Sequence, residues 1–259
     1  MDLLGATVAS LPWAALYAVI FVVSRLAGPL IFAHCRKLDD ANLSYWAESV
    51  VSTANSFILS TMAWQACREL DFWNPKGDFT VNSPLSYMCC HALLGYTVWD
   101  SLPLIYYRKS WGGFGMYCMH HTATIVGWGL AAATGLGHNF AVPVQMFEAT
   151  GPFTNLRWFL STAGLKSGTL YIINGLLMFL SFLLLRVVLN LWIGYAVLWA
   201  QRDALFSQAP PVFAFAVPPL YVINVCLQLM WFQKICKGIV ALLAGGSGSS
   251  GKAKRKKKA

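Results

Sequence analysis

The chain has 259 residues, of which 57% are hydrophobic and only 11% charged, and a formal net charge of +9. Soluble domains carry about 25% charged residues, so the apolar surplus excludes a single soluble core and points to a polytopic membrane protein. The positive charge does not denote nucleic-acid binding: much of it lies in the terminal KAKRKKKA, and there is no basic face interleaved with aromatics.

A helix needs about 20 apolar residues to cross a bilayer. Seven stretches qualify, at roughly 11–33, 43–66, 84–107, 114–137, 140–163, 169–199 and 212–240. The expected fold is therefore all-α, a transmembrane bundle of six to seven helices. It divides into a first anchor (1–39), a helical domain (40–242) and a Gly/Ser linker with a basic tail (243–259). The opening MDLLGATVAS lacks the basic n-region of a cleaved signal, so the first stretch is expected to persist. Glu148, Pro152 and Arg157 interrupt the fifth stretch, and only GHN joins the fourth to the fifth. The seven cysteines show no C-x-x-C and mostly lie in apolar runs, as packed small hydrophobes do.

Lysine and arginine in short loops set orientation. With the C-terminus cytosolic, that side carries Arg36, Lys37, Arg108, Lys109, Lys166, Lys237 and the tail. The other side carries Arg68, Lys76 and Arg202, diluted by Glu69, Asp71, Asp78 and Asp203. GGSGSSG (245–251) has the composition of a flexible tether. The lysines third and fourth from the end resemble a dilysine retrieval signal of endoplasmic reticulum membrane proteins, read by coat proteins. The alternative is a polybasic segment on anionic lipid.

Ionisable residues inside the apolar stretches are costly and are functional hypotheses by default. Asp100 lies ten residues before Ser110, the centre of the turn between the third and fourth stretches, and His120 lies ten after. Both therefore sit roughly 10 Å inside the boundary. An Asp facing a His orients the imidazole and raises its basicity. His120, His121 and Asp100 form the candidate catalytic set, with interhelical packing as the plain alternative. A metal is not expected, because adjacent helical residues project about 100° apart and no carboxylate or cysteine completes a ligand spacing.

The fifth and sixth stretches repeat the pattern about Lys166. Glu148 and Arg186 share one depth and form an expected ion pair, while Arg157 and Asn174 share another. Glu148 and Arg157 fall on opposite sides of an ideal helix, unless Gly151-Pro152 bends it. Tyr221, Asn224, Gln228 and Trp231 make one semi-polar stripe directed at the bundle interior. Pro218-Pro219 is placed near the start of that last helix, where proline is tolerated. Arg25 is expected either to meet Glu48 or to snorkel.

Several segments then carry a resemblance: WAESVVSTANS (46–56), GYTVWD (95–100), MHH (119–121), FEATGPFTNLRWF (147–159), INGLLM (173–178) and MWFQKICKG (230–238). In this order the chain resembles the TLC-domain family, named for TRAM, Lag and CLN proteins, and within it the TLC-domain-containing 4 subgroup. The resemblance implies a helical bundle around a central cavity, in endoplasmic reticulum or related membranes, engaged in lipid work. Its ceramide synthases acylate a sphingoid amine from acyl-CoA, and their adjacent histidines fall on His120 and His121. Their downstream acidic residues correspond to QMFEAT (145–150), where Glu148 is the only carboxylate, and this departure counts against ceramide synthesis. Other members affect phospholipid composition or act in lipid homeostasis and cargo handling.

The expected ligand-lining residues are Tyr96, Glu148, Asn155, Arg157, Trp158, Arg186, Asn224, Gln228 and Trp231. A polar interior roofed by Trp and Tyr suits a membrane lipid. The function expected is lipid binding in lipid homeostasis. One alternative is an acyltransferase with no cofactor and acyl-CoA as co-substrate, using His120 or His121 as base with Asp100 orienting the ring. A second is a lipid transporter or trafficking factor, and a homo-oligomer is left open.

Overall fold

The structure, a computed structural model, describes residues 2–73 and 78–243, with side chains to 240. Lys76, the 245–251 tether and the basic tail with its lysine pair lie outside the described residues. Among the described residues there is no strand, and the seven apolar stretches each coincide with a helical rod. These are α1 (Leu3–Ile31), α2 (Asp40–Glu69), α3 (Pro84–Tyr106) and α4 (Phe114–Thr134). A broken rod follows, made of α5 (His138–Val144), a 3-10 turn (Gln145–Thr150) and α6 (Gly151–Thr162). The sixth rod runs from α7 (Thr169–Ser181) through a π-helical stretch (Phe182–Leu189), α8 (Asn190–Ile193) and a second π stretch (Gly194–Trp199). A short α9 (Arg202–Gln208) leads to α10 (Pro211–Leu243).

Packing closes six of these rods into a ring in the order α2, α3, α4, α10, α7, α6 and back to α2. α1 stands outside it, against α2, α3 and α4. Small residues permit that approach: a Cβ on Gly95 of α3 would lie 2.5 Å from the Ser10 carbonyl oxygen and 2.6 Å from Trp13 Cβ. Tyr17 adds a buried hydrogen bond from its hydroxyl to Asn55 Oδ1 of α2 (2.8 Å). The outer faces of α1, the sixth rod and α10 expose Leu4, Val8, Val19, Leu26, Leu170, Leu184, Phe215 and Val222. Such a coat belongs against hydrocarbon, not water. Three rods, Leu3–Ile31, Thr169–Trp199 and Pro211–Val240, are long and apolar enough to cross a membrane.

Two details depart from the sequence reading. The joint between the fourth and fifth stretches is Gly135-Leu136-Gly137, with His138 already helical. Both glycines have positive φ (71° and 67°), which only glycine adopts without strain. α10 starts at Pro211, so Pro218-Pro219 lies two turns inside it. Arg25 meets neither water alone nor Glu48: it pairs with the Asp40 carboxylate and the Ser44 hydroxyl at the start of α2.

The break in the fifth rod has a local cause. Pro143 and Pro152 each lack an N–H and crowd the preceding turn, so Gln145–Thr150 between them tighten into 3-10 winding. This rewinding brings Glu148 and Arg157 to the same cavity, although nine residues of ideal α-helix would separate them.

Candidate functional site: a two-chambered cavity in the helical ring

The ring encloses a cavity of about 470 Å³. It lies toward the end of the bundle that carries the 107–113 turn, with Trp111, Gly112, Gly238 and Ile239 at its mouth. A smaller chamber of about 80 Å³ continues toward the opposite end, along Ala123, Gly127, Trp128, Phe213 and Val217. Leu93, His120, Glu148 and Arg186 belong to both walls, so they form the partition. The first chamber holds the carboxyls and cations. The second is the more apolar of the two, although Tyr221, Asn224 and Gln228 also line it, and Trp128 Nε1 and both polar atoms of the Gln145 side chain make no hydrogen bond there.

Asp100 pairs with His121, not with His120 as the depth argument has it. Asp100 Oδ2 lies 3.2 Å from His121 Nε2, and Ser101 Oγ lies 3.1 Å from His121 Nδ1. Ser101 also donates to the Thr97 carbonyl (2.7 Å). With that single hydroxyl proton committed, Nδ1–H of His121 is the donor to Ser101. Asp, His and Ser here share the residue types of a nucleophile relay, but Ser101 is not on either cavity wall. His121 is thus buried and held at both nitrogens. His120 is held at neither: among the described residues its neighbours are rings, Trp231 at 5.4 Å and His121 at 5.8 Å. Of the two, His120 keeps its nitrogens available to a ligand, and both chambers reach it.

The expected Glu148–Arg186 pair forms, loosely, at 3.5 Å. Arg186 does more than balance charge. Its Nε donates to the Phe147 carbonyl (3.1 Å) and the Thr150 hydroxyl (2.7 Å), and Nη1 donates to Gln228 Oε1 (3.1 Å). The 3-10 turn exposes the Phe147 carbonyl inside the bundle, and a backbone group freed there must find a partner. Arg186 reaches it from a π-helical stretch, a local widening that recurs at functional sites. The semi-polar stripe of α10 continues the network. Gln228 donates to Asn224 (3.0 Å), Asn224 to Asn190 Oδ1 (3.2 Å), and Tyr221 to the Asn190 carbonyl (2.9 Å).

Tyr96, Glu148, Asn155, Arg157, Arg186 and Trp231 line the first chamber, and Asn224 and Gln228 the second. Asn155 is fixed by donation to Ser52 and Thr53 of α2 (3.1 and 2.9 Å). Trp158 is on neither wall; it packs on Tyr45, ring to ring at 4.8 Å, and Tyr45 faces the cavity in its place. Arg157 and Asn174, though level, do not bond: Asn174 caps the Phe153 carbonyl (2.8 Å), and Arg157 lies over the Tyr171 ring at 4.1 Å.

Sequence reasoning missed Glu48 as a site residue. It is buried on the cavity wall beside Asp100, and its Oε2 accepts from Trp99 Nε1 (3.2 Å). Its signal in the sequence is a lone carboxylate four residues before Ser52 in an apolar helix.

Comparison with known proteins decides the family. The TLC domain profile matches residues 45–237, from the first turns of α2 to the last of α10, which is the closed ring. The chain belongs to the TLC-domain family. It is 25% identical over 232 residues to TLC domain-containing protein 4 A of Dictyostelium discoideum, covering 84% of this chain and 85% of that protein. It is 29% identical over 154 residues to TLC domain-containing protein 4-B of Xenopus laevis, covering 58% and 57%. It is 25% identical over 169 residues to Topoisomerase I damage affected protein 4 of Saccharomyces cerevisiae, covering 61% and 57%. With its apolar helices, this TLC-domain chain is a membrane protein.

Proposed function

We propose that this TLC-domain protein binds a membrane lipid in the ring cavity and acts in lipid homeostasis at the endoplasmic reticulum membrane. The observation that supports the reading is the pairing of a chamber lined by Glu48, Asp100, Arg157 and Lys234 with a more apolar one across the His120–Glu148–Arg186 partition. An amphipathic ligand is the occupant that matches both halves. Arg36, Lys37, Arg108, Lys109 and Lys166 gather in the loops at the mouth end, so the mouth and the C-terminus face the cytosol. Mass spectrometry of lipid retained by the purified protein tests this. Thr154 is exposed on the first chamber's wall, so Thr154→Trp fills the chamber at little cost to the fold. Wild type should retain a lipid class that the variant lacks; equal retention by both removes the reading.

A second reading, an acyltransferase, is favoured by one observation: His120 is open to both chambers. Its imidazole would take the proton of an acceptor amine or hydroxyl as that group attacks the thioester carbonyl of acyl-CoA. The CoA thiolate would leave and recover the proton. His121 and Asp100 would hold the neighbouring ring in place. Labelled acyl-CoA, offered with sphingoid bases and lysophospholipids to wild type, His120→Ala and His121→Ala, tests it. A labelled lipid made by wild type and not by His120→Ala supports the reading; no product from wild type ends it.

A further inference from the structure

The cavity's charges are not all matched. Glu148 meets Arg186 and Asp100 meets His121, while Glu48 accepts from the neutral Trp99 indole. That leaves two cations on the first chamber's wall without a carboxylate, Arg157 and Lys234. Lys234 is an exposed rim residue whose Nζ rests 3.8 Å from Met116 Sδ. Arg157 is only half-exposed, at the middle of α6. Among the described residues its guanidinium has no hydrogen-bond acceptor at all; it stacks on Tyr171 and leans on Gly175, where a Cβ would stand 2.8 Å from Nη1.

The simpler account is an arginine that snorkels to the mouth, its stem covering apolar surface. The position argues otherwise. The Tyr171 face and the notch at Gly175 hold the guanidinium against the wall. A planar cation fixed in an intramembrane cavity with its donors unused is a preformed anion receptor. Arg matches phosphate with two parallel N–H bonds, whereas Lys offers a point charge.

We propose that Arg157 binds a phosphate group of the lipid-like ligand, with Lys234 adding charge at the rim. The proposal rests on the lipid-binding reading above and narrows it to phosphate-bearing amphiphiles. The phosphate could belong to a phospholipid head group or to the CoA moiety of an acyl-CoA, and the chemistry at Arg157 is the same. The ligand's chain would then run from Arg157 past Met178 and Phe182 toward the partition, since these line the same wall.

The test titrates the purified full chain in an uncharged detergent with three probes of equal chain length: lauroyl lysophosphatidic acid, lauroyl-CoA and uncharged monolaurin. Wild type should bind one or both phosphate probes at least about tenfold more tightly than monolaurin, the scale of a charge-assisted hydrogen bond. Arg157→Gln should remove that preference while leaving monolaurin affinity unchanged. Arg157→Lys should keep only part of it, and the exposed Lys234→Gln, which does not endanger the fold, should reduce it. The tighter phosphate probe names the source. If wild type binds all three alike, or if Arg157→Gln keeps the preference, the phosphate site is overturned while lipid binding stands. If none of the probes binds, both are overturned.

Discussion

Asp100 of α3 and His121 of α4 meet at 3.2 Å across two adjacent staves of the ring, and Ser101 takes the other side of the same imidazole. This three-residue clamp fastens His121 as a buried strut and leaves the nitrogens of its neighbour His120 unbonded at the cavity wall. Both histidines line the first chamber, but only His121 is bonded at its two nitrogens and so ties the helix pair together.

That division predicts unequal stabilities. His121→Ala leaves Asp100 and Ser101 with unmet bonds in a buried setting, a loss of about 1–3 kcal/mol. For a chain of this size the melting temperature should fall by roughly 2–4 °C for each kcal/mol. His120→Ala breaks no hydrogen bond and should melt with wild type. Thermal melts in detergent check both.

Arg186 should be the residue least tolerant of truncation. Arg186→Ala strands Glu148 and the Phe147 carbonyl together, and removing one partner of a buried pair costs about 3–5 kcal/mol. Membrane abundance on an expression blot should drop. The double variant Arg186→Met with Glu148→Leu should recover part of it, since no lone charge then remains.

Gly95 should admit no side chain. A Cβ there meets backbone of α1 and not a flexible side-chain end, so Gly95→Ala must push α1 off α3. Overpacking of this kind costs about 1–3 kcal/mol, readable as a lowered melting temperature. Gly112 faces open space, and Gly112→Ala is the matched control.

At the loop end, hydrogen bonds from Tyr107 and Arg25 hold the Asp40 carboxyl below its usual range. A depressed folded-state value means the clamp contributes above the ordinary carboxylate pKa and fades as pH falls through the lower one. Asp40→Asn should therefore melt below wild type at pH 6, and the gap should close below about pH 4. Melts across that range check the sign.

Much of this was legible in the sequence because it depends on spacing. Apolar runs of bilayer length gave the rods, and equal distances from a turn brought Glu148 to Arg186 and Asp100 to the histidine pair. What was not legible depends on winding. The counting that matched Asp100 to His120 ignores rotation about the helix, which selects His121. The 3-10 turn between two prolines, which turns Arg157 toward the cavity, and the π stretch bearing Arg186 break the ideal periods that sequence patterns assume. Trp158 and Glu48 show the same limit: both lie in recognisable motifs, yet which of them faces the cavity is set by how α2 and α6 roll against each other.

On the proposed reading, lipid enters the ring and does not merely coat it. A photoactivatable phospholipid, cross-linked to the protein in membranes and mapped by peptide mass spectrometry, tests it most directly. The account predicts adducts on cavity residues such as Tyr96, Met178 and Trp231, lost in Thr154→Trp. Adducts confined to the outward faces of α1 and α10, at Val19, Leu26 or Val222, and unchanged by that substitution, would contradict it.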